Sequence, residues 1–411
     1  MTRAWPLVFC VGCRGLLGID EAVPLPNDGA LHDGSGSGDD GDPSDAALDG
    51  APAGDDVAHV LPADEYLGTG NLAVTADFTL DTTNLTSTPG LPRGVTLASA
   101  TQDTGGPELA ILRVDNLTIS AGKRLRAVGS RPLVVLANAI QIDGVFDVSA
   151  IHDVPGAGGV LGGPGAGGPG MRAVMYSDSG GGGGGFGVSG ARGGNTPCTT
   201  ECNPDQTVVG GPAGTPYNSG LGQLQGGSGG GAALAPAQPT ACPAGVAGAG
   251  GGALELYAKT AITIGGSGGI LGGGGGGRGG FKCETPYNWL AGSGGGSGGA
   301  IFLQAPIVTN AGVLAANGGG GGSGGGMNGN GIDGEDGKLA TTVATGGPPQ
   351  GTYSAKGGNG GAGSIAPQAG VDGVDQGNAG GGGGALGQLV IFFRTTIAAG
   401  TTSPAPITQM Y

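Results

Sequence analysis

The sequence predicts an all-β protein: a right-handed parallel β-helix (solenoid) with long glycine-rich insertions. Three observations predict it. First, one phrase recurs, in which short aliphatic runs separated by tight turns lead into a glycine tract. It is clearest at 299–322, GAIFLQAPIVTNAGVLAANGGGGG, and returns at 132–150, 252–277 and 385–398. Second, Leu117-x-Ile119, Leu125-x-Ala127 and Leu133–Ala137 read as three successive strands, and Ile140-x-Ile142 restarts the cycle 23 positions after Leu117. Coils of that size bury a continuous aliphatic interior. Third, 102 glycines and 4% aromatics leave little bulk for a conventional core, while the β-branched runs set the chain apart from a disordered one. Collagen is excluded because no glycine-every-third repeat is sustained.

The N-terminus reads as an export signal. Residues 1–13, MTRAWPLVFCVGC, carry Arg3, an apolar run 7–11 and then Gly12-Cys13. The run is far shorter than the roughly 20 apolar residues a membrane span needs. Residues 1–19 are therefore the signal region, with Cys13 as the lipidation candidate. Residues 20–64 combine Asp, Gly, Ser, Pro and Ala. Of the 31 acidic residues, 13 fall in 20–65, which has no Lys or Arg. One sign of charge and low hydrophobicity predict a disordered acidic linker. Asp33, Asp39, Asp40 and Asp42 cluster there, but without the glycine and glutamate of a calcium loop.

From residue 65 to 400 the expected solenoid runs. Leu72-x-Val74 and Phe78-x-Leu80 alternate with period two, as half-buried strands do. This entry segment reads as a capping unit for the first coil. Aligning the third strand of each coil matches Leu133, Leu254, Ile301 and Val390. The unequal gaps then require the glycine-rich stretches 155–251, 272–298 and 318–384 to loop out, partly ordered beside the coils. Residues 401–411 read as a C-terminal tail.

Four cysteines follow the signal: Cys198, Cys202, Cys242 and Cys283. In an exported chain an even count reads as two disulfides with three possible pairings. Zinc is the competing reading, weakened by distant ligands and no nearby histidine. No metal or other cofactor is expected. The net charge of −15 disfavours a nucleic-acid partner, and the short cluster Lys123, Arg124, Arg126 and Arg131 reads as a solvated face. His32 and His59 lie in the linker, and His152-Asp153 reads as a turn. Asp143 and Asp147 could share a coil face as acid and base, but both also fit as solvent-facing strand residues. GIDGEDG at 331–337 and GVDGVD at 370–375 read as turns rather than calcium repeats, which work in tandem. Catalytic residues: none.

The phrases 117–147, 296–326 and the closing GGGGALGQLVIFF, with the signal, resemble the uncharacterised glycine-rich surface lipoproteins of the myxobacterial type. The resemblance covers most of 66–397 and implies an exported, surface-located protein with no catalytic residues to carry over. The expected function is a structural or adhesive protein of the cell surface. It would be anchored to the outer membrane by lipid, with surface glycans or other surface proteins as partners. The alternatives are a carbohydrate-active β-helix enzyme, lyase or hydrolase, and a secreted glycan-binding matrix protein.

Overall fold

Aliphatic runs stack side by side to form two parallel sheets, and the glycine tracts that join the strand ends of one sheet to the strand starts of the other pack as a layer of their own. The computed structural model describes residues 56–103, 105–171, 178–198, 206–233, 245–282, 289–374, 377–398 and 400–411. The larger sheet has 11 strands, ordered along its main path Leu72–Val74, Asn116–Ile119, Leu133–Ile142, Ala253–Ile264, Ala300–Gln304, Gln388–Phe393, Ile407–Met410. The smaller has 7, ordered Thr401–Ser403, Val313–Ala315, Gly269–Leu271, Val145–Asp147, Arg124–Val128, Phe78–Asp81, Thr86–Thr88. Antiparallel pairs occur only toward the N-terminal end of these sheets, where Thr86–Thr88 and Thr96–Ala100 fold back. Residues 401–411, set apart in the sequence as a tail, supply a strand to each sheet.

The expected β-helix is corrected by this topology. The strands do not close into three-sided coils but sort into two separate mostly parallel sheets. Two readings misled. The supposed third strand of one coil and first strand of the next are a single ten-residue strand, Leu133–Ile142. And the glycine tracts are not excursions. The chain leaves the smaller sheet after Val145–Asp147, Gly269–Leu271 or Val313–Ala315, crosses the glycine layer, and re-enters the larger sheet at Ala253, Ala300 or Gln388.

One core lies between the sheets. Leu133, Leu254, Ile301 and Leu389 from the larger sheet meet Leu80, Leu125, Phe146, Ile270 and Leu314 from the smaller. A second core covers the opposite face of the same strands, with Val134, Leu136, Phe302, Val390 and Phe392 packed on Val57, Val60, Leu221 and Leu224. Strands buried on both faces read as unbroken apolar runs, which is why LVVLA and LVIFF lack alternation. The register is Leu133↔Leu254↔Ile301↔Leu389. Val390 is one residue out of the expected alignment, and a one-residue slip moves a side chain to the other face.

The glycine layer obeys a rule of three. In residues 290–299 the N–H groups of Gly292, Gly295 and Gly298 donate to the carbonyls of Ala379, Gly382 and Ala385. Those of Ser293, Gly296 and Gly299 donate to Arg278, Gly275 and Gly272, and those of Gly294 and Ser297 to Gly231 and Ser228. The carbonyls repeat the pattern. Gly292 and Gly295 accept from Gly181 and Gly184, Ser293 and Gly296 from Gly322 and Gly319, and Gly294 and Ser297 from Gly248 and Gly251. Three residues per turn with no bonds inside the thread is the polyproline-II repeat. Each thread aims its backbone groups at a ring of neighbours; for 290–299 there are six, from the 181, 228, 248, 275, 319 and 382 regions. Residues 379–385 follow the same rule, donating to 178–184, 368–371 and 319–322 in turn. Glycine is required by the close approach: a Cβ on Gly294 would overlap the Gly182 carbonyl oxygen, and one on Gly384 the Gly296 carbonyl.

Candidate functional site

The carboxylates singled out in the sequence are occupied in different ways. Asp147 is fully buried at the end of Val145–Asp147. Its Oδ2 accepts from Arg124 at 2.9 Å and Arg126 at 2.7 Å, and its Oδ1 from the Ser149 N–H and hydroxyl. With two guanidiniums on one oxygen and the Ser149 N–H and hydroxyl on the other, Asp147 anchors the strand end. Asp143 instead accepts the Gln141 amide. The structure gives the two no shared partner. The basic cluster is not a plain solvated face either. Arg124 and Arg126 hold Asp147, and Arg131 bonds Glu108 and the carbonyls of Thr82 and Thr83.

The GxD phrases have a role that the sequence reading missed. Threads at the rim of the glycine layer present N–H groups with no neighbouring thread to receive them. Asp333 Oδ1 accepts from Gly279 N–H, and Asp336 Oδ1 from Gly276 and His152, all at 2.8 Å. Residues 333 and 336 are three apart, as are 276 and 279, so one face of one thread caps one face of another. Asp372 does the same for Asn195, and Glu335 for Thr345. The Thr345 and Lys338 bonds overcome burial and draw the Glu335 pKa down to about 2. Arg278 ties the rim together, bridging Asp153 and Asp333 at 2.8 Å each. The detectable signal was the spacing of three in GIDGEDG.

His59 is the second residue misread. Residues 56–64, the end of the segment read as linker, are docked on the outer face of the larger sheet. Val57 and Val60 are buried in the second core, and His59 is 2% exposed between them. Its Nδ1 lies 2.8 Å from Oε2 of Glu255, itself fully buried, and its Nε2 lies 2.7 Å from the Leu221 carbonyl. Burial alone would lower the His59 pKa. The Glu255 charge and hydrogen bond, with the Leu221 carbonyl, overcome it and hold the pKa above the ordinary value. The valines flanking His59 in an otherwise acidic stretch were the signal.

Two clefts flank these features. One, of about 450 Å³, is polar and lined by Asp56, Glu65, Tyr257, Lys259, Pro306 and Arg394. Burial raises the Glu65 pKa, helped by Asp56, Glu255 and Asp103 and opposed by the Val57 N–H. The other, of about 570 Å³, joins Asp81, Asn84 and Ser130 to an exposed aliphatic ledge of Val154, Val160 and Leu161. Among the described residues no group of three or more His, Cys, Asp or Glu could hold a metal ion. No helix among them is long and apolar enough to cross a membrane.

Cys13, Cys202, Cys242, Cys283, His32 and the linker up to residue 55 lie outside the described residues. Cys198 ends the strand Thr196–Cys198, which pairs antiparallel with Gln206–Val208. No protein family, curated protein or solved structure matches the chain.

Proposed function

We propose that the chain is an exported structural or adhesive protein of the cell surface, without catalysis, held to the outer membrane by lipid at Cys13. The observation that carries this reading is the glycine layer. A thread with six hydrogen-bonded neighbours cannot bend without breaking several bonds at once, so the layer is a stiff body built almost without side chains. Its charged residues at the rim are engaged in capping backbone groups. Such a body suits a spacer or platform that keeps its shape outside the cell. The resemblance of 1–13 to a lipoprotein signal supports export. The aliphatic ledge at Val154, Val160 and Leu161, beside Asp81, Asn84 and Ser130, is the surface best suited to a glycan or a neighbouring surface protein.

The test is expression of the full chain in a bacterium with an outer membrane. Wild type is expected in the membrane fraction, open to protease added outside, and to raise cell attachment to polysaccharide-coated or cell-coated surfaces. Cys13→Ala is expected to leave the membrane fraction. Cytoplasmic retention of wild type, or attachment no different from empty cells, would refute the proposal.

A further inference from the structure

The segment 56–66 is fastened to the larger sheet by contacts drawn from five places. His59 meets Glu255 of Ala253–Ile264 and the Leu221 carbonyl of the 219–221 turn, and its ring sits edge-on to Phe302 with centroids 5.1 Å apart. Gln304 takes both sides of the chain, its amide oxygen receiving the Ala58 N–H and its nitrogen giving to the Asp56 carbonyl. Val60 bridges Gln102, and the Asp103 N–H donates to the His59 carbonyl. Arg113 bonds the Asp64 carbonyl and carboxylate and lies over the Tyr66 ring. Beneath the segment lie Val134, Leu136, Tyr257 and Phe302 of the second core.

At the centre of this fastening both ring nitrogens of His59 face acceptors. A neutral imidazole has one N–H and satisfies one of them; the imidazolium satisfies both. The Glu255 Oε1 atom is buried with no hydrogen-bond partner. If His59 loses its proton, the fully buried Glu255 carboxylate loses its counter-charge, and an uncompensated buried charge is strongly destabilising. The other charged groups around the site do not replace it. Asp56, Glu65 and Asp103 are acidic, Arg113 is engaged by Asp64, and Lys259 and Arg394 line the polar cleft that they share with Asp56 and Glu65, whereas Glu255 is fully buried.

We propose that residues 56–66 form a pH-released clasp: deprotonation of His59 unseats the segment and uncovers the apolar outer face of the larger sheet. The direction follows from the chemistry. The proton is held more tightly in the folded than in the unfolded chain. The clasp is therefore secure below the ordinary histidine range, near pH 6.5, and loosens as pH rises through the folded value. Release is local, because the strands beneath keep their ladder bonds and the inter-sheet core.

Hydrogen exchange of the full chain, corrected for the intrinsic rate at each pH, tests it, with binding of a hydrophobic dye measured alongside. Between pH 6 and pH 9, protection of 57–60 is expected to fall at least tenfold while 133–137 and 300–304 hold, and dye binding is expected to rise. Glu255→Gln removes the charge that needs a partner, so its 57–60 protection is expected to change less than twofold over the same range. Three results would overturn the proposal: unchanged wild-type protection, the same loss in Glu255→Gln, or simultaneous loss in the core strands.

Discussion

Replacing Gly294 by alanine is expected to be among the costliest glycine substitutions in the chain. Gly294 donates to Gly231 and accepts from Gly248, and Gly231 donates in turn to Gly182, whose carbonyl oxygen occupies the place a Cβ would take. The added methyl must push the 290–299 and 178–187 threads apart. At least two of these three bonds then stretch or break in a region sealed from water. A buried backbone group left unsatisfied costs about 1–3 kcal/mol, so the expected loss is about 2–6 kcal/mol. The loss is reduced by the roughly 0.4–1 kcal/mol that alanine contributes through the unfolded chain. Gly90→Ala is the matched control. A Cβ there has nothing within 4 Å, so it should be neutral or slightly stabilising. Denaturant unfolding followed by circular dichroism, with calorimetry, reads both. Equal stability of Gly294→Ala and Gly90→Ala would refute the close packing of threads.

Other outcomes follow from the same contacts. Asp147→Ala removes the acceptor of Arg124, Arg126 and the Ser149 N–H and hydroxyl; because both arginines keep some access to water, it is expected to cost about 1–3 kcal/mol, measured by equilibrium unfolding. Asp333→Asn keeps an acceptor for the Gly279 N–H and should shift stability by less than about 1 kcal/mol, while Asp333→Ala loses the cap and should cost about 1 kcal/mol more; thermal unfolding of the pair separates them. Tyr217 donates to the Gly226 carbonyl, and burial, opposed by its Ser228 bond, pushes its pKa up to about 12. A phenolate band rising near pH 12 is expected in an alkaline absorbance titration, and Tyr217→Phe should remove it. The neutral form of Tyr217 is the one the fold favours, so ionisation there should weaken the native state as pH rises.

The strands were legible because side chains wrote them. Period-two alternation at Leu72, Val74, Phe78, Leu80, Leu117, Ile119, Leu125 and Ala127 reports one buried face, and each of these residues lies in a strand whose inward side chain joins the inter-sheet core. The run at 388–393 misled because both its faces are buried. Nothing in LVIFF distinguishes Leu389 from Val390, and only pairing with Ile301 decides. Closure into a helix was misjudged because a strand whose pairing register shifts between Ala137 and Ala139 looks like two strands with a turn. The glycine layer was illegible for a simpler reason. Its specificity lies in backbone groups aimed every third residue, and a run of glycine carries no pattern to show where they point. Only the rim leaves a trace, in Asp333 and Asp336 at a spacing of three. His59 was discounted by its acidic surroundings, although Val57 and Val60 already marked it as part of a buried face.

Residue-resolved hydrogen exchange across 290–299, 316–325 and 378–387 reaches the centre of the matter. Amides with a fixed acceptor on a neighbouring thread should be protected as strongly as those of 133–137 and 300–304, orders of magnitude beyond an unstructured peptide. Exchange at free-peptide rates in those stretches, with the strands still protected, would mean that the glycine tracts are loose loops and that the stiff layer does not exist.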